Sequence, residues 1–317
     1  MAATPITVIG AGIIGLTTAV RLAEAGFDVA VIARDLPLET TSAVAAALWY
    51  PYRAGPPDQV LTWARTSFWT FLADADVPDS GVALVEGLEL RSSPGLPWFS
   101  SALPDVAGFR HIADVPPGYN EGWQMRLPVI EPRRYLPRLV RRLESLGGSL
   151  TRMAVTHLPD HSLIVNCSGL ASRALADDLS VTPVRGQVVR VERVAGVDAW
   201  LLDQTDEEKL VYVVPRANDV VVGGTATVGE FDQASDPQVA TAILERAVRL
   251  VPPLAGAAVL GTAVGLRPAR PTIRVATTQR PSGGTIIHNY GHGGAGWTVA
   301  WGCAAAVVIE TSRLGLN

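Results

Sequence analysis

Gly10, Gly12 and Gly15 stand at the spacing G-x-G-x-x-G, and the chemistry open to that spacing is the holding of a pyrophosphate. The first glycine allows a tight turn, the second a close approach of backbone to phosphate, and the third close packing of the next helix on its strand. Beyond the following β-prone run, Arg34 and Asp35 are adjacent. An acid there binds a ribose hydroxyl pair and an arginine accepts a 2′-phosphate, so these two residues leave FAD, NAD and NADP all open. Thr40, Thr41 and Ser42 offer hydroxyls where a long dinucleotide would continue, and Ala45, Ala46 and Ala47 let backbone approach a flat ring. Near the other end, residues 288–296 (HNYGHGGAG) form a second glycine-rich turn before a helix. Both ends of the chain are therefore expected to close around one extended cofactor.

The elements that must position these residues follow from periodicity and punctuation. Residues 6–9 read as a short buried strand. A helix begins near Ile13, with Leu16, Ala19, Val20 and Ala23 at helical spacing, and Gly26 ends it, so its N-terminal N–H groups face the phosphate. Residues 28–33 are the next strand, and this order lifts the glycine motif above an ordinary glycine-rich turn. Residues 59–75 read as a helix carrying Trp63 and Phe71. Residues 78–122 alternate β-prone pieces such as 82–85 with Pro and Gly, an excursion into a sheet-based second domain. Helix 132–146 sets Leu136, Leu139, Val140 and Leu143 on one face and a solvated row of arginines on the other. Strands are expected at 150–155 and 163–166, with Asn166–Cys167–Ser168–Gly169 as a turn at the ligand-binding edge. A block at 187–224 holds antiparallel strands 187–191, 210–214 and 220–222, and Asp236–Pro237 opens a helix to about Leu250. Residues 263–274 place three arginines among apolar residues, 285–287 form a strand, and 297–310 a helix of small residues.

With 317 residues and 48% hydrophobic composition, the chain has ample material for a large core in one or two interleaved domains. Its formal net charge is −4, Lys209 is its only lysine, and no basic block suggests nucleic acid. Only Cys167 and Cys303 are present, as expected of a protein from a reducing compartment, with cytoplasm as the default. The uncharged stretches 5–20 and 250–266 are broken by glycine or proline, so neither a signal peptide nor a membrane span is expected. His111, His157, His161, His288 and His292 show no metal-ligand spacing. The expected partners are small molecules, and the chain could form a homo-oligomer.

Taken together, GAGIIG, TTSAVAAALWYPY, VNCSG, YVVPR, GGT, GLRPARP and HNYGHGGAGWTVAWG resemble the D-amino-acid oxidase family, in order and over nearly the whole chain. IARDLP occurs at this place in fungal members, which use FAD. The resemblance implies an α/β fold: a Rossmann-like FAD-binding domain (1–76, 128–181 and 266–317) with an interleaved mixed or antiparallel β-sheet substrate domain (77–127 and 182–265). It also implies noncovalent FAD. The implied reaction passes the α-hydrogen of a D-amino acid as hydride to flavin N5; the imino acid hydrolyses to an oxo acid and ammonia, and oxygen yields hydrogen peroxide.

Carried over residue by residue, the resemblance makes Arg270 the grip on the substrate carboxylate, Tyr212 its hydroxyl assistant, and Gly294 the carbonyl that receives the amine. Gly10, Gly12, Ile13, Ile14, Gly15, Arg34, Asp35, Thr40, Thr41, Ser42, Ala46, Ala47 and Leu48 fall at FAD-contacting segments. So do Val155, Ser168, Gly291, Gly293, Gly294, Gly296 and Thr298. Arg267 matches a flavin-side or structural arginine, and His292 is read as fixing backbone. Leu48, Tyr50, Tyr52, Val214 and Ala226 are expected to wall the pocket, and neutral or apolar D-amino acids to be preferred. The chain departs from eukaryotic members in a short, tyrosine-free lid at residues 204–209, and from D-aspartate oxidases in carrying Ala226, not arginine, after GGT. No S-K-L-type signal ends it, which favours a bacterial member. A glycine or sarcosine oxidase is the alternative within flavin oxidases, with Cys303 a formal site for covalent flavin but expected to be a buried thiol. An NADP-dependent dehydrogenase using Arg34, and a non-enzymatic binding protein, complete the alternatives.

Overall fold

The computed structural model describes residues 6–160, 163–206, 209–281 and 283–315. His161, Glu207 and Glu208 of the short lid, and Leu316 and Asn317, lie outside the described residues. Strand β1 (Ile6–Ile9) is buried throughout and leads into helix α1 (Ile13–Glu24), after which β2 (Val29–Ala33) returns parallel to β1. Gly10 has φ +112°, and a Cβ there would stand 2.5 Å from the Cys167 carbonyl oxygen. A Cβ on Gly15 would overlap the Gly10 carbonyl oxygen, so the helix rests directly on the end of the strand.

Helices α2 (Thr41–Val44) and α3 (Pro57–Ala75) precede β3 (Val82–Arg91), β4 (Arg110–Ile112) and β5 (Glu121–Ile130). Then come α4 (Pro132–Ser145), β6 (Ser149–Arg152), β7 (Leu163–Asn166) and α5 (Ser172–Leu175). The strands β8 (Thr182–Glu192), β9 (Trp200–Asp203), β10 (Val211–Pro215), β11 (Asp219–Gly223) and β12 (Thr227–Val228) follow. Helix α6 (Pro237–Leu250), β13 (Val259–Gln279), β14 (Thr285–His292) and α7 (Gly296–Arg313) complete the chain.

All these strands belong to one sheet, in the order β4-β5-β3-β9-β10-β11-β8-β13-β14-β7-β1-β2-β6, with β12 beside β8. From β14 through β7, β1 and β2 to β6 the neighbours are parallel; from β5 to β14 all are antiparallel except β3 with β9. The first half of β13 pairs with β8 and the second with β14, with a register shift between Ala269 and Arg274. The expected divisions at 127/128 and 265/266 fall inside β5 and β13, because an extended chain can pass from one part of a sheet to the next without a linker.

Several strands outrun their sequence signals, among them β8, which begins at Thr182, and β13, which was not expected as a strand. The piece expected at 82–85 extends to Arg91 along a continuous ladder on β5 that ends at Arg91↔Glu121, and the piece at 285–287 extends past Arg274↔Tyr290, across the register shift, to Ala269↔His292. The glycine-rich turn therefore shrinks to residues 293–295.

In the antiparallel part the two faces separate by the strand period of two. Val189, Val191, Val211, Val213, Val220 and Val222 pack under α6 with Ile243 and Ala247, leaving Val188, Tyr212 and Val214 to the other face. At the parallel end, α1, α3, α4 and α7 bury the main core. Helices α3 and α7 meet at Gly302, where a Cβ would overlap the Trp63 backbone, and Ser67 Oγ accepts from the Trp301 and Gly302 N–H groups (3.1 and 3.2 Å). Gly302→Ala forces these helices apart, and its expected cost is about 1–3 kcal/mol. Urea unfolding of the variant beside the parent protein measures it.

Candidate active site

Around the N-terminus of α1 the predicted cradle is assembled from separate segments. Ser42 Oγ accepts from the Ile13 N–H (3.0 Å), and a Cβ on Gly12 would lie 3.1 Å from that oxygen and 3.9 Å from Thr40 Oγ1. Ile14 and Gly15 follow in the first turn of α1, whose N–H groups have no intrahelical partner. Helix α1 has no side-chain cap at Gly12, leaving bare backbone beside two hydroxyl residues. These features fit a dinucleotide pyrophosphate. The Thr40 and Thr41 hydroxyls donate to the Pro37 and Leu266 carbonyls (2.7 and 3.2 Å), fixing the loop that carries Ser42. Arg34 and Asp35 pair with each other (Nη2–Oδ2 2.6 Å), and the Arg34 side chain is largely exposed. Val155 packs with Ile9, Ile32 and Ile286, while Ser168 Oγ donates to Asn166 Oδ1 (2.7 Å).

The turn after β14 closes the other side. A Cβ on Gly291 would stand 2.8 Å from Arg270 Cβ, one on Gly293 3.1 Å from the Arg53 carbonyl oxygen, and one on Gly294 2.5 Å from Tyr52 Cδ1. Gly296 begins α7. Two residues on, Thr298 Oγ1 donates to the Tyr50 carbonyl (2.8 Å) and accepts the Tyr50 N–H (3.0 Å), tying the 46–52 loop to the helix.

Between these segments and the sheet lies a cavity. Ala46, Ala47, Leu48, Tyr50 and Tyr52 line one wall with Gly294, and Tyr212, Val214, Leu202, Leu210, Val188 and Arg267 line the sheet side. The Arg267 guanidinium lies on Gly186 and the Tyr212 ring on Gly223; a Cβ on either glycine would overlap them. Arg267 Nη1 donates to the Thr225 carbonyl (3.0 Å), and the guanidinium also faces the Tyr212 hydroxyl. Burial pushes the Tyr212 phenol up, against the opposing pull of Arg267, so it keeps its proton.

Two expected site residues lie elsewhere. Arg270 does not line the cavity: its Nε donates to Asp178 Oδ2 (2.9 Å) and its Nη1 to the Thr272 carbonyl (2.8 Å). Arg267 pairs in register with Val184 in the regular part of β13, over the cavity face, whereas Arg270 falls in the irregular stretch between Ala269 and Arg274 and turns to Asp178. Ala226 is also absent from the lining, because Thr227 and Val228 pair with β8 and lead the chain away. Leu202, Leu210 and Gly186 line the cavity without having been singled out, and Gln204, the first residue of the expected short lid, joins them. Their roles are set by cross-strand register, which no local pattern announces. Cys303 is fully buried in α7 and does not line the cavity.

His292 and His288 are buried on β14. Burial lowers His292 to about 3, and burial, then Arg274, lowers His288 to about 4. His292 Nε2 pairs with Asn289 Oδ1 (3.1 Å), whose amide nitrogen donates to Thr18 Oγ1 (3.1 Å). Among the described residues, no three His, Cys, Asp or Glu side chains are placed to hold a metal ion, and no helix is long and apolar enough to cross a membrane.

Residues 5–308 match the family model described as FAD dependent oxidoreductase. The chain is 46% identical over 305 residues to a D-amino-acid oxidase of Rubrobacter xylanophilus, covering 94% of this chain and 92% of that one. It is 41% identical over 317 residues to a D-amino-acid oxidase of Streptomyces coelicolor, covering 98% and 96% of the two chains. Among solved structures, glycine oxidase from Bacillus cereus superposes with a TM-score of 0.78 at 17% identity over 98% of this chain and 96% of that one, a likeness of fold.

Two outcomes are expected here. Gly12→Val presses on Ser42 and fills the cradle, so the purified variant should be largely colourless where the parent carries flavin absorbance bands; full flavin occupancy would remove the cradle assignment. The second concerns pH. A histidine buried neutral binds fewer protons than the unfolded chain below pH ~6.5, so its contribution is intact above that pH and is lost as pH falls toward the folded value. Stability should decline between pH ~6.5 and ~4 by about 1.4 kcal/mol per unit for each such histidine. Denaturation curves across that range, with His292→Gln giving the shallower slope, measure it.

Proposed function

Since the chain belongs to the FAD-dependent oxidoreductase family, we propose that it oxidatively deaminates neutral D-amino acids to 2-oxo acids, ammonia and hydrogen peroxide. The observation that carries the reading is the convergence of Arg267 and Tyr212 at one end of an otherwise largely apolar cavity. The guanidinium fork has donors left after its bond to Thr225, and with the Tyr212 hydroxyl it grips a carboxylate in fixed orientation. The carboxylate role thus moves from Arg270 to Arg267, and Tyr212 keeps its own. Gly294 presents backbone to the same cavity and is assigned the substrate amine. When bound, FAD supplies the acceptor for the substrate α-hydrogen and passes the electrons on to oxygen.

Leu48, Leu202, Leu210 and Val214 offer apolar surface that glycine could not use, which favours a substrate with a side chain over the glycine oxidase alternative. Arg34 is paired with Asp35, which weighs against a 2′-phosphate site and so against the NADP alternative. The cytoplasm is the proposed location. Naming in the two curated relatives supports the substrate class, and the geometry supports the orientation within it.

Arg267→Ala removes two charge-assisted hydrogen bonds, each worth roughly 1.5–3 kcal/mol, so kcat/KM on D-alanine or D-valine should fall by about two to four orders of magnitude. Arg267→Lys restores charge without the fork and should recover only part of it. Arg270→Ala should cost stability through Asp178 and leave kcat/KM within about threefold. Peroxide-coupled kinetics on the three variants decide the matter: loss confined to Arg270→Ala would return the carboxylate to that residue.

A further inference from the structure

Just beyond β11, two arginines donate to consecutive backbone carbonyls. Arg267 Nη1 donates to the Thr225 carbonyl (3.0 Å), and Arg246 Nη2 donates to the Gly224 carbonyl (3.2 Å). Arg267 lines the cavity, whereas Arg246 belongs to α6, which packs on the opposite face of β8, β10 and β11. What stands between Arg246 and the cavity is glycine backbone. Tyr212 pairs with Gly223, and a Cβ on Gly224 would lie 2.9 Å from the Tyr212 hydroxyl oxygen. The hydroxyl therefore rests on the backbone that Arg246 holds.

That backbone is pinned on either side of the carbonyl. The Gly224 N–H donates to the Leu210 carbonyl (3.0 Å), and Thr225 Oγ1 accepts the Gln187 N–H (2.9 Å). Two successive glycines are otherwise free to move, and Arg246 adds a hold from α6. The hold is costly. Arg246 Nε is buried without a hydrogen-bond partner, and burial, then Arg249, pull the guanidinium down while Asp206 opposes them. Ile243 and Ala247 already seat α6 on the valine face, so anchoring the helix does not call for a buried guanidinium.

Resting on the oxidase reading above, we propose that Arg246 is a positioning residue for the substrate carboxylate: it fixes Gly224 from behind the sheet and so sets the Tyr212 hydroxyl beside Arg267. Arg246 itself does not line the cavity. Without its donor the Gly224 carbonyl is released and the phenol loses its seat, while Arg267 keeps its own bond to Thr225.

The test is a double-mutant cycle on the flavin-loaded enzyme with D-alanine, read as KM and kcat from peroxide release. Arg246→Met keeps the apolar stem and removes the donor; it is expected to raise KM about tenfold and leave kcat within about threefold, as for a hydrogen bond shared by ground and transition states. Arg246→Lys restores charge and a donor, and should bring KM to within about threefold of the parent. On Tyr212→Phe, where the hydroxyl is gone, Arg246→Met should change KM by less than about twofold. A merely structural arginine gives the same factor in both backgrounds, and that additivity overturns the inference. So does a KM in Arg246→Met within about twofold of the parent. If Arg246→Met does not yield folded protein, Arg246→Gln, shorter and neutral, takes its place in the cycle under the same criteria. Either overturning result leaves the oxidase reading standing, whereas a parent protein that oxidises no D-amino acid sinks both.

Discussion

Two long polar side chains can meet over a β-sheet only where the sheet beneath them is bare, and Gly186 and Gly223 provide that bare ground. Strand neighbours lie ~4.8 Å apart, so a Cβ at either position would occupy the space taken by the Arg267 guanidinium or the Tyr212 ring. Much of the cavity follows from this. Because Arg267 and Tyr212 lie down along the sheet, aliphatic Leu202, Leu210 and Val214 can stand around them and keep water away from the charge. The same strands turn their valines to α6, so the cavity face and the core face are two readings of one alternation.

The neighbouring arginines show how much the irregularity after Ala269 decides. Arg267 keeps free donors beside a buried phenol, whereas Arg270 is tied to Asp178 together with the Tyr290 hydroxyl (2.9 Å). Burial would raise the Asp178 carboxyl, but the hydrogen bonds from Ser180, Tyr290 and Arg270 hold it below the usual carboxylate range. A paired arginine of this kind braces the end of β14, since Gly291 packs on its Cβ.

The N-terminal strand, glycine turn and helix were legible in sequence because their determinants are local. The glycine spacing, the helical repeat from Leu16 to Ala23 and the β-branched run at Ile6–Ile9 all act within a few residues of one another. Of the hydroxyls at 40–42, Ser42 lies directly on the Ile13 N–H. Legibility falls where the partners are distant in sequence. Glu89, Leu202 and Tyr212 become neighbours only through the pairing of β3, β9 and β10, and no local pattern announces that row. Family likeness pointed to the arginine-rich strand, but the choice between Arg267 and Arg270 needed the register with Val184 on β8 and the irregularity after Ala269.

Strand β13 runs for 21 residues, hydrogen-bonded to β8 along its first half and to β14 along its second. Its unbroken course couples the wall that holds Arg267 to the turn that carries Gly294. Neither part can be cut out and replaced as a cassette, since any cut severs a ladder on which the other part relies. Descendants of such a chain cannot gain new specificities by trading whole substrate modules. They must change individual side chains on the cavity wall, so diversification in this architecture proceeds by point substitution and loop exchange rather than by recombination of domains.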